Sequence, residues 1–109
     1  MTTVWYHVRD FSAARDFYTR KLGFIQTVAN EEERWATLQR DATAIGLAEG
    51  EPQKDGGVAH VDVPNVKQVA EELRSDGVEI GVVFELHGAM RLLDVFDPDG
   101  NRLQFAQEV

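Results

Sequence analysis

The sequence predicts an α+β fold built from two βαβββ units, and three observations carry that prediction. Two amphipathic helical stretches each begin at a capping residue and end at a glycine, Asp10 to Gly23 and Asn65 to Gly77. Short runs rich in β-branched and aromatic residues precede and follow each of them. The two closing glycines stand 54 positions apart, so the same order of elements occurs twice.

Taken in order, Val4 to Arg9 reads as the first strand, and Asp10 or Ser12 caps a helix whose apolar positions are Phe11, Ala14, Phe17, Tyr18 and Leu22. Gly23 ends that helix in the position where glycine tolerates a left-handed backbone. Three short strands follow, Phe24 to Val28, Arg34 to Leu38 and Thr43 to Ala48, separated by polar turns. The acidic run Glu31 to Glu33 is a solvated hairpin turn. Pro52 and the neighbouring glycines mark a linker. The chain is therefore read as one domain of module 1–50, linker 51–56 and module 57–109. In the second module a strand Val58 to Val63 leads to a cap at Asn65. The next helix carries Val66, Val69, Ala70 and Leu73 on one face, and Gly77 closes it. Strands at Val78 to Val83, Met90 to Phe96 and Arg102 to Gln107 complete the repeat.

A helix covering one face of each mixed sheet leaves the other face free, and period-two alternation sorts the side chains between them. Val4, Tyr6, Val8, Ile45, Leu47, Ala59, Val61, Val63, Leu103 and Phe105 face the helices. Thr3, Trp5, His7, Ala44, Gly46, Ala48, Val58, His60, Asp62, Arg102, Gln104 and Ala106 face away, with Trp35 and Thr37 assigned there as well. Histidines, an acid, an arginine and indoles over small residues are a lining suited to a pocket.

Composition narrows the function. The chain has 109 residues, 43% hydrophobic and 28% charged, which is ordinary for a globular domain. A chain this short buries only about 65% of its unfolded surface, so pairing with a second copy would help it. Net charge is −8, and residues 51–109 hold five Lys or Arg against twelve Asp or Glu. Such a surface repels nucleic acid and attracts a cationic small molecule. Without cysteine there is no disulfide, thiolate metal site or cysteine nucleophile. The N-terminus has no apolar core of a secretory signal, and no stretch reaches the roughly 18 apolar residues of a membrane span, so the expected location is cytoplasmic and no membrane partner is expected. Phosphate-binding glycine loops and the GxSxG nucleophile turn are missing too.

The patterns VRDFSAARDFYTRKLGF, GGVAHVDVPNVKQVAEELRSDGVEI and DPDGNRLQF, in that order and at that separation, resemble the glyoxalase/bleomycin-resistance/dioxygenase group, the vicinal oxygen chelate superfamily. The resemblance spans nearly the whole chain. It implies that the sheets curl into a cup, commonly completed in a homodimer, and that metal-dependent members hold one divalent ion there through His, Gln or Glu. Those ligand positions fall here on Thr3, Gly46, Val58 and Gln104. Glycine and valine offer no donor, and a hydroxyl and a carboxamide are weak ligands, so no cofactor is expected.

The resulting expectation is a cup lined by Trp5, His7, Trp35, His60, Asp62, Arg102 and Gln104. Its leading function is metal-independent binding or sequestration of a small organic ligand, cationic or aromatic, as in the bleomycin-resistance branch. The alternative is a glyoxalase-like lyase, isomerase or dioxygenase with a displaced divalent metal. A third is a module that only senses a metabolite. His7 and His60 are the candidate catalytic residues, orienting or protonating the ligand, although each could equally bond a neighbour on the sheet surface. Trp5 and Trp35 stack on a planar ligand or join a dimer seam. Arg102 neutralises a ligand carboxylate or pairs with Asp62.

Overall fold

The computed structural model describes residues 3–53, 57–86 and 88–108, so residues 54–56 of the expected linker lie outside the described residues. Eleven elements follow in order among them: β1 (Val4–Val8), α1 (Phe11–Arg20), β2 (Ile25–Asn30), β3 (Trp35–Arg40), β4 (Thr43–Glu49), β5 (Ala59–Asp62), α2 (Val66–Ser75), β6 (Glu79–Ile80), β7 (Phe84–Leu86), β8 (Met90–Phe96) and β9 (Arg102–Glu108).

Both helices start as their sequences require. The Asp10 carboxylate accepts from the Ala13 backbone N–H, and the Asn65 side chain accepts from that of Gln68. Gly23 and Gly77 each take φ +75°, a conformation that costs a side-chain-bearing residue about 1 kcal/mol or more.

The first sheet has the order β1-β4-β3-β2 and the second β5-β9-β8-β6, with β7 also paired to β8. In each, the strand before the helix lies parallel to the last strand of its module, and the remaining pairings are antiparallel. This is the two-fold βαβββ architecture, with a mixed sheet in each half.

One expected strand is interrupted. Val78 to Val83 was to be continuous, but pairing with β8 stops after Ile80 and resumes at Phe84. Three residues, 81–83, oppose Leu93 and Asp94, so one residue is extra and the strand bulges. The same irregularity occurs at Thr27 in β2, between the Gln26–Leu38 and Val28–Thr37 pairs.

The helix-facing residues of both sheets join one buried cluster, in which Val8, Ile45, Leu47, Val61, Leu103 and Phe105 have no exposed surface. Polar contacts lock the halves across it. The Tyr6 hydroxyl donates to the Arg102 carbonyl at 2.6 Å and accepts from the Ala59 N–H at 2.8 Å. The Tyr18 hydroxyl donates to buried Asp97 at 2.8 Å. Asp97 also accepts from the Asn101 side chain, which donates in turn to the His7 carbonyl. Because both helix-covered faces meet in this cluster, their opposite faces are turned away from each other. No described helix is long and apolar enough to cross a membrane.

Candidate functional site

Register defines the free face of the first sheet row by row. Asn30, Trp35, Ala48 and His7 lie side by side, and Val28, Thr37, Gly46 and Trp5 form the next row. The Trp5 ring lies directly against Gly46, where an added Cβ would overlap it. Trp5 and Trp35 meet edge to face with centroids 6.1 Å apart, and Trp5 keeps 43% of its surface exposed. The His7 ring packs beside Gly50, where a Cβ would stand 3.2 Å from the ring carbon Cδ2. Gly46 and Gly50, without side chains, leave room for the Trp5 and His7 rings to lie against the backbone.

The free face of the second sheet has four rows: Phe96 beside Arg102, then Asp94, Gln104 and His60, then Leu92, Ala106 and Asp62, then Leu86, Met90 and Glu108. His60 Nε2 lies 3.3 Å from the Asp62 carboxylate. Asp94 draws Arg102 to 3.7 Å and accepts from Gln104 Nε2 at 3.5 Å. Arg102 therefore pairs with Asp94 rather than with Asp62. The reason is register: Asp94 is one row away on the adjacent strand, whereas Asp62 is two rows away. Ala106, expected to be open, is buried beside Leu92, since that row continues into the large ring of Phe84.

The structure thus brings the expected site residues together as two groups. Trp5, Trp35 and His7 share the first face, and His60, Asp62, Arg102 and Gln104 share the second. Among the described residues, no hydrogen bond, ion pair or ring contact joins side chains of the two groups.

Between the halves, a cleft of about 460 Å³ opens at the Arg102 end of the second face. Val58, Phe96 and Pro52 form apolar walls, and Arg9 and Arg102 stand at its polar side. Arg9 contacts Asp99 at 3.3 Å and Glu51 at 3.8 Å. Neither Arg9 nor Phe96 was expected beside Arg102. Phe96 could have been found, because it shares the outward parity of Asp94 in β8. Arg9 had no local signal, since its partner Asp99 lies 90 positions away.

Burial pushes the Tyr6 hydroxyl up to about 12, with the Asp97 carboxylate adding to the rise and the Ala59 N–H opposing it. Tyr18 is raised further, by burial first and then by Asp97.

The superfamily's ion has no matching donor set here. The positions to which the resemblance carries its ligands hold Thr3, Gly46, Val58 and Gln104, and the Trp5 ring lies over Gly46. Among the described residues, no three His, Asp or Glu side chains are grouped to hold a metal ion.

Comparison with known proteins agrees with this architecture. Among curated proteins, none matches the sequence. An integron cassette protein from the mobile metagenome of the Halifax Harbour sewage outfall has 21% identity and a TM-score of 0.85, covering 98% of this chain and 97% of that one. The bleomycin-binding protein of Streptomyces verticillus, solved with copper(II)-bleomycin, has 20% identity and a TM-score of 0.77 over 99% of this chain and 95% of its own. TnmS3, an antibiotic binding protein from Streptomyces sp. CB03234, has 19% identity and a TM-score of 0.74 over 100% and 97%. At that identity the likeness is one of fold. The family model of the Glyoxalase/Bleomycin resistance protein/Dioxygenase superfamily matches residues 2–105, nearly the whole sequence. With the repeated βαβββ order and the paired mixed sheets, that match makes the chain a member of the glyoxalase/bleomycin resistance/dioxygenase superfamily.

Proposed function

We propose that this protein binds a small organic molecule, aromatic or cationic, without a metal ion, at a site that two copies build together in the cytoplasm. The observation that carries the reading is the Trp5 ring laid over Gly46, which puts an indole where the superfamily places a metal-ligating side chain. An exposed indole beside a second one offers a stacking surface and a cation-attracting π face, worth about 0.5–2 kcal/mol per contact. The net charge of −8 favours a cationic ligand from a distance. Two antibiotic-binding proteins among the structural neighbours support the same reading.

The second copy enters because Trp5, Trp35 and His7 lie on one outward face and His60 and Gln104 on the other. A partner's second face laid over the first would close a cup that one chain leaves open. The metal-dependent alternative would draw on His7 and His60, which stand in different sheets, on the two outward faces of one chain.

The test is a fluorescence titration of chelator-treated protein with a panel of planar aromatic cations. Saturable quenching is expected, unchanged by chelator and reduced at least about tenfold in affinity by Trp5→Ala. Binding that appears only after a divalent ion is added, or that survives Trp5→Ala intact, would refute the reading.

A further inference from the structure

We propose that Glu49 and Arg34 form a positioning clamp for the paired indoles, holding Trp35 edge-on to Trp5 from behind the first sheet. The inference rests on the reading of those indoles as a ligand surface. Backbone geometry is the first argument. Arg34, the residue before Trp35, takes φ +57°, a left-handed conformation that glycine adopts freely and a side chain disfavours. A strained residue in an exposed turn keeps that shape only if its neighbours hold it.

The neighbour is Glu49. Its backbone N–H donates to the Arg34 carbonyl at 3.0 Å, and its carboxylate accepts from Arg34 Nη1 at 3.2 Å. Both bonds act on the residue from which β3 leaves the turn. Trp35 is the first residue of β3 and pairs with Ala48, next to Glu49. The remaining contacts of the turn, Arg15 with Glu31 and the Asn30 side chain with the Glu33 N–H, involve neither Arg34 nor Trp35.

Anchorage is the third argument, because an exposed ion pair by itself orders little. The same Glu49 oxygen, Oε2, also accepts from the Phe11 N–H at 3.2 Å, and Phe11 is buried at the start of α1. Asp10 serves the Ala13 N–H instead, so the two acids divide the free donors of that helix end. The carboxylate is thereby tied to a packed element, and the guanidinium it holds is tied with it. Glu49 has the parity of Ile45 and Leu47 and touches α1, so it stands behind the indoles and does not meet the ligand.

Two indoles 6.1 Å apart with ring planes at 68° give an exciton couplet in far-ultraviolet circular dichroism, assigned to this pair by its loss in Trp5→Ala. Arg34→Ala removes the clamp and keeps the left-handed strain. It is expected to lose most of the couplet and at least about fivefold in affinity for the planar cation proflavine. Glu49→Ala is expected to do the same. Arg34→Gly removes the strain together with the clamp and should keep both couplet and affinity. The double variant Glu49→Ala, Arg34→Gly should regain the couplet although the Phe11 N–H still lacks its acceptor, a rescue that helix capping alone would not produce. A wild-type couplet that Trp5→Ala leaves in place, a couplet unchanged in Arg34→Ala, or one lost equally in Arg34→Ala and Arg34→Gly would overturn the proposal. Loss of the couplet in Arg34→Ala with proflavine affinity undiminished would uphold the clamp and refute the stacking surface.

Discussion

Tyr6 shows how much one side chain holds. Its ring is buried against Tyr18, and its hydroxyl spans from β1 to the first residues of β5 and β9. Tyr6→Phe leaves the Ala59 N–H and the Arg102 carbonyl without this partner. A loss of about 1–3 kcal/mol is expected in urea unfolding. The pH dependence has a definite sign. The folded protein holds the phenol protonated up to about 12, whereas the unfolded chain releases the proton near 10. The stabilisation is therefore complete below pH 10 and is lost as pH rises from 10 toward 12. Unfolding midpoints measured across that window should fall with pH, less steeply in Tyr6→Phe; equal slopes in both proteins would contradict the assignment. Neither Tyr6 nor Tyr18 could be given these partners from the sequence. Their acceptors lie 96 and 79 positions away, and no periodicity reports a contact of that span.

At the level of elements, local chemistry was legible where it is local. Asp10, Asn65, Gly23 and Gly77 act through neighbours within a turn, so their identity alone located both helices. The Asp10 cap satisfies the Ala13 N–H at 3.1 Å. Asp10→Ala is expected to cost about 1 kcal/mol in thermal or urea unfolding, and an unchanged midpoint would show that α1 does not depend on the cap. The break at 81–83 was not legible, because Val78 to Val83 alternates well enough for one strand. The interruption is decided by the partner strand β8, whose register differs by one residue on the two sides of it. The Thr27 bulge escaped notice for the same reason. Alternation did sort the faces correctly for nearly every core residue. Ala106 failed because parity reports the face of a residue and not what its row neighbours cover.

For the whole molecule, the sequence puts the candidate residues on outward sheet faces as one lining, whereas the structure divides them between two faces. Alternation assigns a side chain to a sheet face. Whether two faces look into one hollow depends on the angle between sheets, which Tyr6, Tyr18 and Asp97 fix here through the shared core. A cup formed from both faces consequently needs another copy. If so, sedimentation should give twice 12.2 kDa for the ligand-binding species. Dilution to 12.2 kDa monomers should abolish the tryptophan response in step with mass, and full binding by the monomer would refute the shared cup. The strand bulges also matter to the assembly as a whole. Both outermost rims, at β2 and at β6 to β7, carry one residue out of step, and the first of them also displays Ile25 and Val28 at 71% and 54% exposure. A sticky rim with regular spacing would recruit its own kind end on end. Here the misfit denies an incoming chain a matching ladder, which is how an edge strand with exposed apolar side chains is kept from pairing end on end.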